Sequence, residues 1–190
     1  MAKKREFKPD KPYSGFLQKL ILTRQQRKSV LKWSLYALVL ILLSVVQDVL
    51  LSRFRILGAT TELVPCGIFL ICLLEGIERG SVFALIASLL YLFSGTAAGV
   101  YSMVFLTALA IFATAVRQSY LQSGFPAAML CTGVGLVLYE MLVFLIGVFL
   151  EKALFSQVVS PLVTTGLTMI AAPLIYWIVH AISGGGSWKE

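Results

Sequence analysis

A chain of 190 residues that is 58% hydrophobic and 13% charged, with a mean hydropathy of +0.89, is not an ordinary soluble domain. Soluble domains carry about 25% charged residues, and one of this length cannot hide so much apolar surface from water. The formal charge is +7, yet ten of the sixteen Lys and Arg fall between Lys3 and Lys32, opposed there only by Glu6 and Asp10. A basic arm leading straight into an apolar run suits anionic lipid and sets topology; it does not suit nucleic acid.

In chain order, residues 1–30 form that arm. The first thirteen, MAKKREFKPDKPY, are dense in charge and proline and predict little fixed structure. Phe16, Leu17, Leu20 and Ile21 then recur at helical spacing among Lys19, Arg24, Arg27 and Lys28, the pattern of an amphipathic helix lying on a membrane surface. A plain basic linker is the alternative. The first apolar run is long enough to remain as an anchor and shows no cleavage site after it.

Six membrane spans are expected between residues 31 and 183, at about 31–51, 62–76, 79–95, 99–117, 126–150 and 157–182. The second and third are short, and a tilted or re-entrant pair is an alternative for them. With the N-terminus inside, thirteen basic residues fall on the cytoplasmic side against Arg53, Arg55 and Lys152 outside. Both termini, including the tail 184–190, are then cytoplasmic. The expected fold is an all-α polytopic bundle of about six transmembrane helices.

Ionisable groups at membrane depth are costly, which makes them candidates for function. Glu140 is the clearest, within GLVLYEMLVF of the fifth span. It suits proton chemistry, a partner's helix or a buried pair; the plainer reading is a protonated or hydrogen-bonded side chain facing the bundle interior, with no second intramembrane carboxylate obvious beside it. Asp48, Arg53 and Arg55 are read as outer-interface charges, and Glu75, Glu78 and Arg79 as surface charges in the turn EGIERG, worth little energetically.

Catalytic chemistry finds no support. The one histidine, His180, has no triad partner in view, and there is no phosphate-binding loop, paired-carboxylate metal motif or nucleophile elbow. No enzyme, cofactor or metal is expected. Cys66, Cys72 and Cys131 are read as small packing residues. What the chain does offer is small side chains. Gly76 and Gly80 are four apart, Ala84, Ala87 and Ser88 share one side of the third span, and Ala110, Ala113 and Ala115 recur in the fourth. SGTAAG (94–99) is read as a tight turn between these two spans, whose Gly95 and Gly99, also four apart, let two helices cross closely. Helices in lipid associate by close approach at such positions, with partner helices or a second copy as well as within a bundle.

The stretches QDVLLSRFRILGATTELVP (47–65) and EGIERGSVFALIASLLYLFSGTAAGVYSM (75–103) resemble the rod-shape-determining membrane protein MreD family. The family phrase D-L-x-S-G-x-x-x-G is represented by Tyr91-Leu92-Phe93-Ser94-Gly95-Thr96-Ala97-Ala98-Gly99, with Tyr91 in place of the acidic residue and Ala97 where proline is frequent. The resemblance covers about residues 40–125. It implies a non-enzymatic component of the bacterial cell-elongation machinery in the cytoplasmic membrane. Such a component binds an MreC-like bitopic protein, and through it an MreB-like filament, a RodA-like glycosyltransferase and a class B penicillin-binding transpeptidase. It also implies a fold like the substrate-binding S subunits of energy-coupling-factor vitamin transporters. An S subunit is therefore the alternative reading, with Arg53, Arg55, Tyr101 and Glu62 as possible ligand groups.

Overall fold

Apolar runs of Leu, Ile, Val and Phe have no water to satisfy their backbone in a bilayer, so they pair N–H with C=O inside each segment and become helices. The computed structural model describes residues 24–50, 61–95, 97–120, 124–150 and 158–184, and among these it is helical apart from short turns. The helices are α1 (Arg24–Val45, closed by a π-helical turn Val46–Leu50), α2 (Leu63–Glu75), α3 (Ile77–Phe93), α4 (Val100–Tyr120), α5 (Phe125–Phe149) and α6 (Val159–Ser183). The amphipathic part of the basic arm, Arg53, Arg55 and Lys152 fall outside the described residues.

Among the described residues, four segments are long and apolar enough to cross a membrane: Ser29–Val49, Val100–Tyr120, Phe125–Phe149 and Val159–Ser183. This is a multi-pass membrane architecture. The expectation of six full spans needs correcting at α2 and α3, which have 13 and 17 residues. At 1.5 Å per residue, α2 is about 20 Å long against a hydrocarbon core of about 30 Å.

Position explains how so short a helix is accommodated. α2 packs against α1, α3, α4, α5 and α6. Every residue from Leu63 to Leu74 is buried. It is the axis of the bundle, so it has no lipid-facing side whose length must match the bilayer. That agrees with its sequence, which is apolar on all faces rather than along one stripe.

The surrounding helices are inverted relative to soluble ones, with small or polar residues inside and bulky aliphatic residues outside. On α6, Thr164, Thr165, Thr168 and Ala172 are buried, while Leu162, Ile170 and Leu174 are exposed. On α3, Gly80, Ala84, Ala87 and Ser88 face inward at helical spacing.

Two glycines set the closest approaches. α2 and α3 are separated by Gly76 alone, which adopts φ 85°, a region open to glycine and strained for other residues. The chain folds back so tightly that a Cβ on Gly80 would lie 2.7 Å from the Cys72 carbonyl oxygen and 2.9 Å from its Cα. On α5, a Cβ on Gly135 would meet the Phe69 ring at 2.6 Å.

Gly95 and Gly99 form the turn expected of SGTAAG but not the close helix crossing expected with it. A Cβ on Gly95 would touch nothing within 4 Å, and one on Gly99 would meet only the ring of Tyr101, two residues on. Both have positive φ, 78° and 153°. Among the described residues they serve the turn between α3 and α4, not a helix crossing.

Candidate functional site

A helix buried on every side, as α2 is, leaves free N–H groups at its N-terminus and free C=O groups at its C-terminus. In lipid these must be met by side chains, because water is absent. The polar residues of this protein gather at the two ends of α2 for that reason.

At the C-terminal end, Arg117 of α4 is 4% exposed and donates from Nη1 to the Leu73 carbonyl at 2.6 Å. Cys72 is held nearby, receiving a hydrogen bond from Thr114 Oγ1 at 3.3 Å. Glu75 closes the helix as an acceptor for Lys32 Nζ and Tyr36 Oη, both at 2.5 Å from its Oε1. Its side chain is only 4% exposed. Glu75 is therefore a buried structural partner, not the surface charge its place in EGIERG suggested; Glu78 and Arg79 are exposed. Trp33, Tyr36 and Phe83 pack as an aromatic group over this junction.

At the N-terminal end, Gln47 reaches in from the π-turn of α1, and its Oε1 accepts from the Val64 N–H at 3.1 Å. Thr168 of α6 accepts from the Glu62 N–H at 3.1 Å while donating to the Thr164 carbonyl. Two orphan donors of α2 are thus satisfied by two other elements. The Tyr91 hydroxyl of α3 donates to Glu62 Oε2 at 3.4 Å and also hydrogen-bonds with Gln47. Tyr139 of α5 is buried and hydrogen-bonds with Ser102 of α4.

Into this cluster projects Glu140, one residue beyond Tyr139 and 8% exposed. Its carboxyl lies within hydrogen-bonding range of the carboxyl of Glu62. Its Oε1 is buried and receives no hydrogen bond. The expectation that Glu140 has no carboxylate neighbour at membrane depth is overturned. Two ionised carboxylates about 4 Å apart repel by about 4 kcal/mol at an effective dielectric of 20.

All six helices contribute to the cluster or border it, near the ends of α1, α3 and α4 but well inside α5 and α6. Glu140 stands nine residues before the end of α5 and Thr168 nine residues after the start of α6. That is about 14 Å along each helix.

The remaining candidates lie elsewhere. Asp48 is partly buried at the end of α1, accepting from Ser44 Oγ at 3.4 Å. His180 stacks on Tyr176 with ring centroids 5.5 Å apart. The three cysteines are buried and unpaired with one another. No group of three or more His, Cys, Asp or Glu able to hold a metal occurs among the described residues.

A groove of about 340 Å³ runs between α1 and α3, lined by Ala37, Leu40, Ile41, Ser44, Ala87 and Leu90 among others, with Tyr91 at its edge. A second, shallower apolar hollow of about 520 Å³ lies on α5 and α6 around Gly133, Thr165 and Met169.

The sequence missed Glu62 as Glu140's partner. The available signal was a carboxylate directly preceding an uninterrupted apolar helix too short to span. Comparison with known protein families, curated proteins and solved structures gives no match for this chain.

Proposed function

We propose that the protein is a non-enzymatic component of a bacterial cell-elongation complex, seated in the cytoplasmic membrane with both termini inside, where it holds partner transmembrane helices. The reading rests on the resemblance of residues 47–65 and 75–103 to the MreD family. The structural observation that supports it is the α1–α3 groove. Only 17% of the α1 span is buried, against 33–39% of the other three. Ala37, Ser44 and Ala87 leave the groove shallow-sided, so a helix backbone can approach closely there. An MreC-like bitopic helix is the proposed occupant, linking the bundle to an MreB-like filament and to peptidoglycan polymerase and transpeptidase partners.

Depletion in the rod-shaped organism that carries it should convert rods into spheres, and unchanged rods would refute the reading. Single cysteines at Ala37 and Leu90 should cross-link to the bitopic partner, while one at Ile170, exposed on α6, should not.

One observation favours a second reading, the S subunit of a vitamin transporter. The polar cluster around Glu62 and Glu140 gathers hydrogen-bonding groups from several helices, as a site for a small polar ligand would. A vitamin released on denaturing the purified protein, with rod shape intact on depletion, would select that reading over the first.

A further inference from the structure

Capping accounts for the other polar groups around the start of α2. Gln47 and Thr168 each meet a backbone N–H, and the Ser102 and Thr168 hydroxyls return their protons to the Gly99 and Thr164 carbonyls. Glu140 is not explained in this way. It lies too far along α5 to cap that helix, and its buried Oε1 receives nothing. The group it faces, Glu62, is a second acceptor.

Around the pair, α3 presents Tyr91, α5 presents Tyr139, and α4 presents Ser102, with Tyr101 near enough to Tyr139 to act on it electrostatically. The end of α1 contributes Gln47 and α6 contributes Thr168. Among the described residues, none of these neighbours is a cation. Arg117, the buried arginine, is occupied at the other end of α2.

Two facing carboxyl groups, one with a buried oxygen that no hydrogen bond meets, are set among neutral donors, and a single positive charge between them would satisfy both. We propose that Glu62 and Glu140 together bind a single monovalent cation, a proton or an alkali-metal ion, between their carboxyl groups. A proton turns two opposed acceptors into a donor and an acceptor. An alkali ion would take oxygen ligands from both carboxylates, with the Tyr91 hydroxyl close by. Either occupant ties α2 to α5 at the N-terminal end of the central helix. The proposal stands apart from the identity of any partner helix.

Dicyclohexylcarbodiimide tests it on the full chain in lipid nanodiscs. The reagent partitions into apolar sites and adds to a protonated carboxyl: the oxygen bonds to the carbodiimide carbon and the proton passes to nitrogen. Labelling is read at each glutamate by peptide mass spectrometry across a pH series. In the wild type the two sites should titrate as one coupled unit. In Glu62→Gln the pH midpoint for Glu140 should move by a unit or more, equivalent to about a tenfold change in labelling rate at fixed pH. Glu140→Gln should move the Glu62 midpoint reciprocally, so the result does not hang on one variant folding. Protection by sodium chloride relative to choline chloride assigns the charge to a metal ion, and equal labelling in the two salts assigns it to a proton. Unmoved midpoints in both variants would overturn the proposal. So would an Arg53→Gln/Arg55→Gln variant that moves the midpoint as far as Glu62→Gln, because the chain would then supply its own cation.

Discussion

Gly80→Ala adds one methyl group where the backbones of two helices approach one another. Its Cβ would lie 2.7 Å from the Cys72 carbonyl oxygen and 2.9 Å from the Cys72 Cα and Sγ. That is about 0.7 Å short of ordinary contact. Two of the three obstructing atoms are backbone, so no rotamer change relieves them; α3 must move away from α2. The single-residue link at Gly76, whose Gly80 N–H to Gly76 carbonyl bond is 2.8 Å, leaves little room for that movement. Overpacking of this kind costs about 1–3 kcal/mol. The internal control is Gly166→Ala on α6, where a Cβ meets nothing within 4 Å and helix propensity should give a gain of up to about 1 kcal/mol. Reversible unfolding in mixed micelles, titrated with a denaturing detergent, measures both variants. Gly80→Ala should fall about 1–4 kcal/mol below Gly166→Ala. Equal stability would refute the claim that α2 and α3 are held at backbone contact.

Lys32→Met leaves Glu75 buried with only Tyr36 as donor. Because Lys32 is one-quarter exposed the loss should stay near 1–3 kcal/mol, and Glu75→Gln, which keeps an acceptor for Tyr36, should cost less in the same titration. Arg117→Ala strips the Leu73 carbonyl of a charged donor and should cost about 1.5–3 kcal/mol, partly restored by Arg117→Lys. Gly135→Ala drives a methyl into the Phe69 ring, so Phe69→Leu should rescue it. A double-mutant cycle on the pair should give a coupling of about 0.5–3 kcal/mol, and additive losses would place the two residues out of contact.

What was legible in the sequence depended on short-range information. The helical, membrane-embedded character follows from apolar runs and sparse charge, which are local properties. The inward faces of α3 and α4 were readable too, because small residues at helical spacing mark one side of a helix whatever it packs against. Glu75 was misread because neighbouring charges in EGIERG look like a solvated turn, whereas Lys32 and Tyr36 come to it from a different helix. The turn at Gly95 and Gly99 was legible, but the close crossing expected with it was not there, because a four-residue spacing of glycines suits both a packing face and a turn. Only the backbone angles separate the two.

The sequence by itself determined that the chain lies in a membrane, that it is helical, and that Glu140 sits where a charge is costly. Those conclusions need only the solvent preference of each side chain and the rise of a helix. The tertiary structure alone decided that the shortest helix is the central one. It also decided that polar residues from the surrounding helices converge on that helix's ends, and that Glu62 and Glu140 face one another. The reason is physical: in lipid every helix is apolar outside, so hydrophobicity no longer tells inside from outside. Which helix becomes the core is then settled by close packing and by the need to satisfy backbone groups stranded at membrane depth.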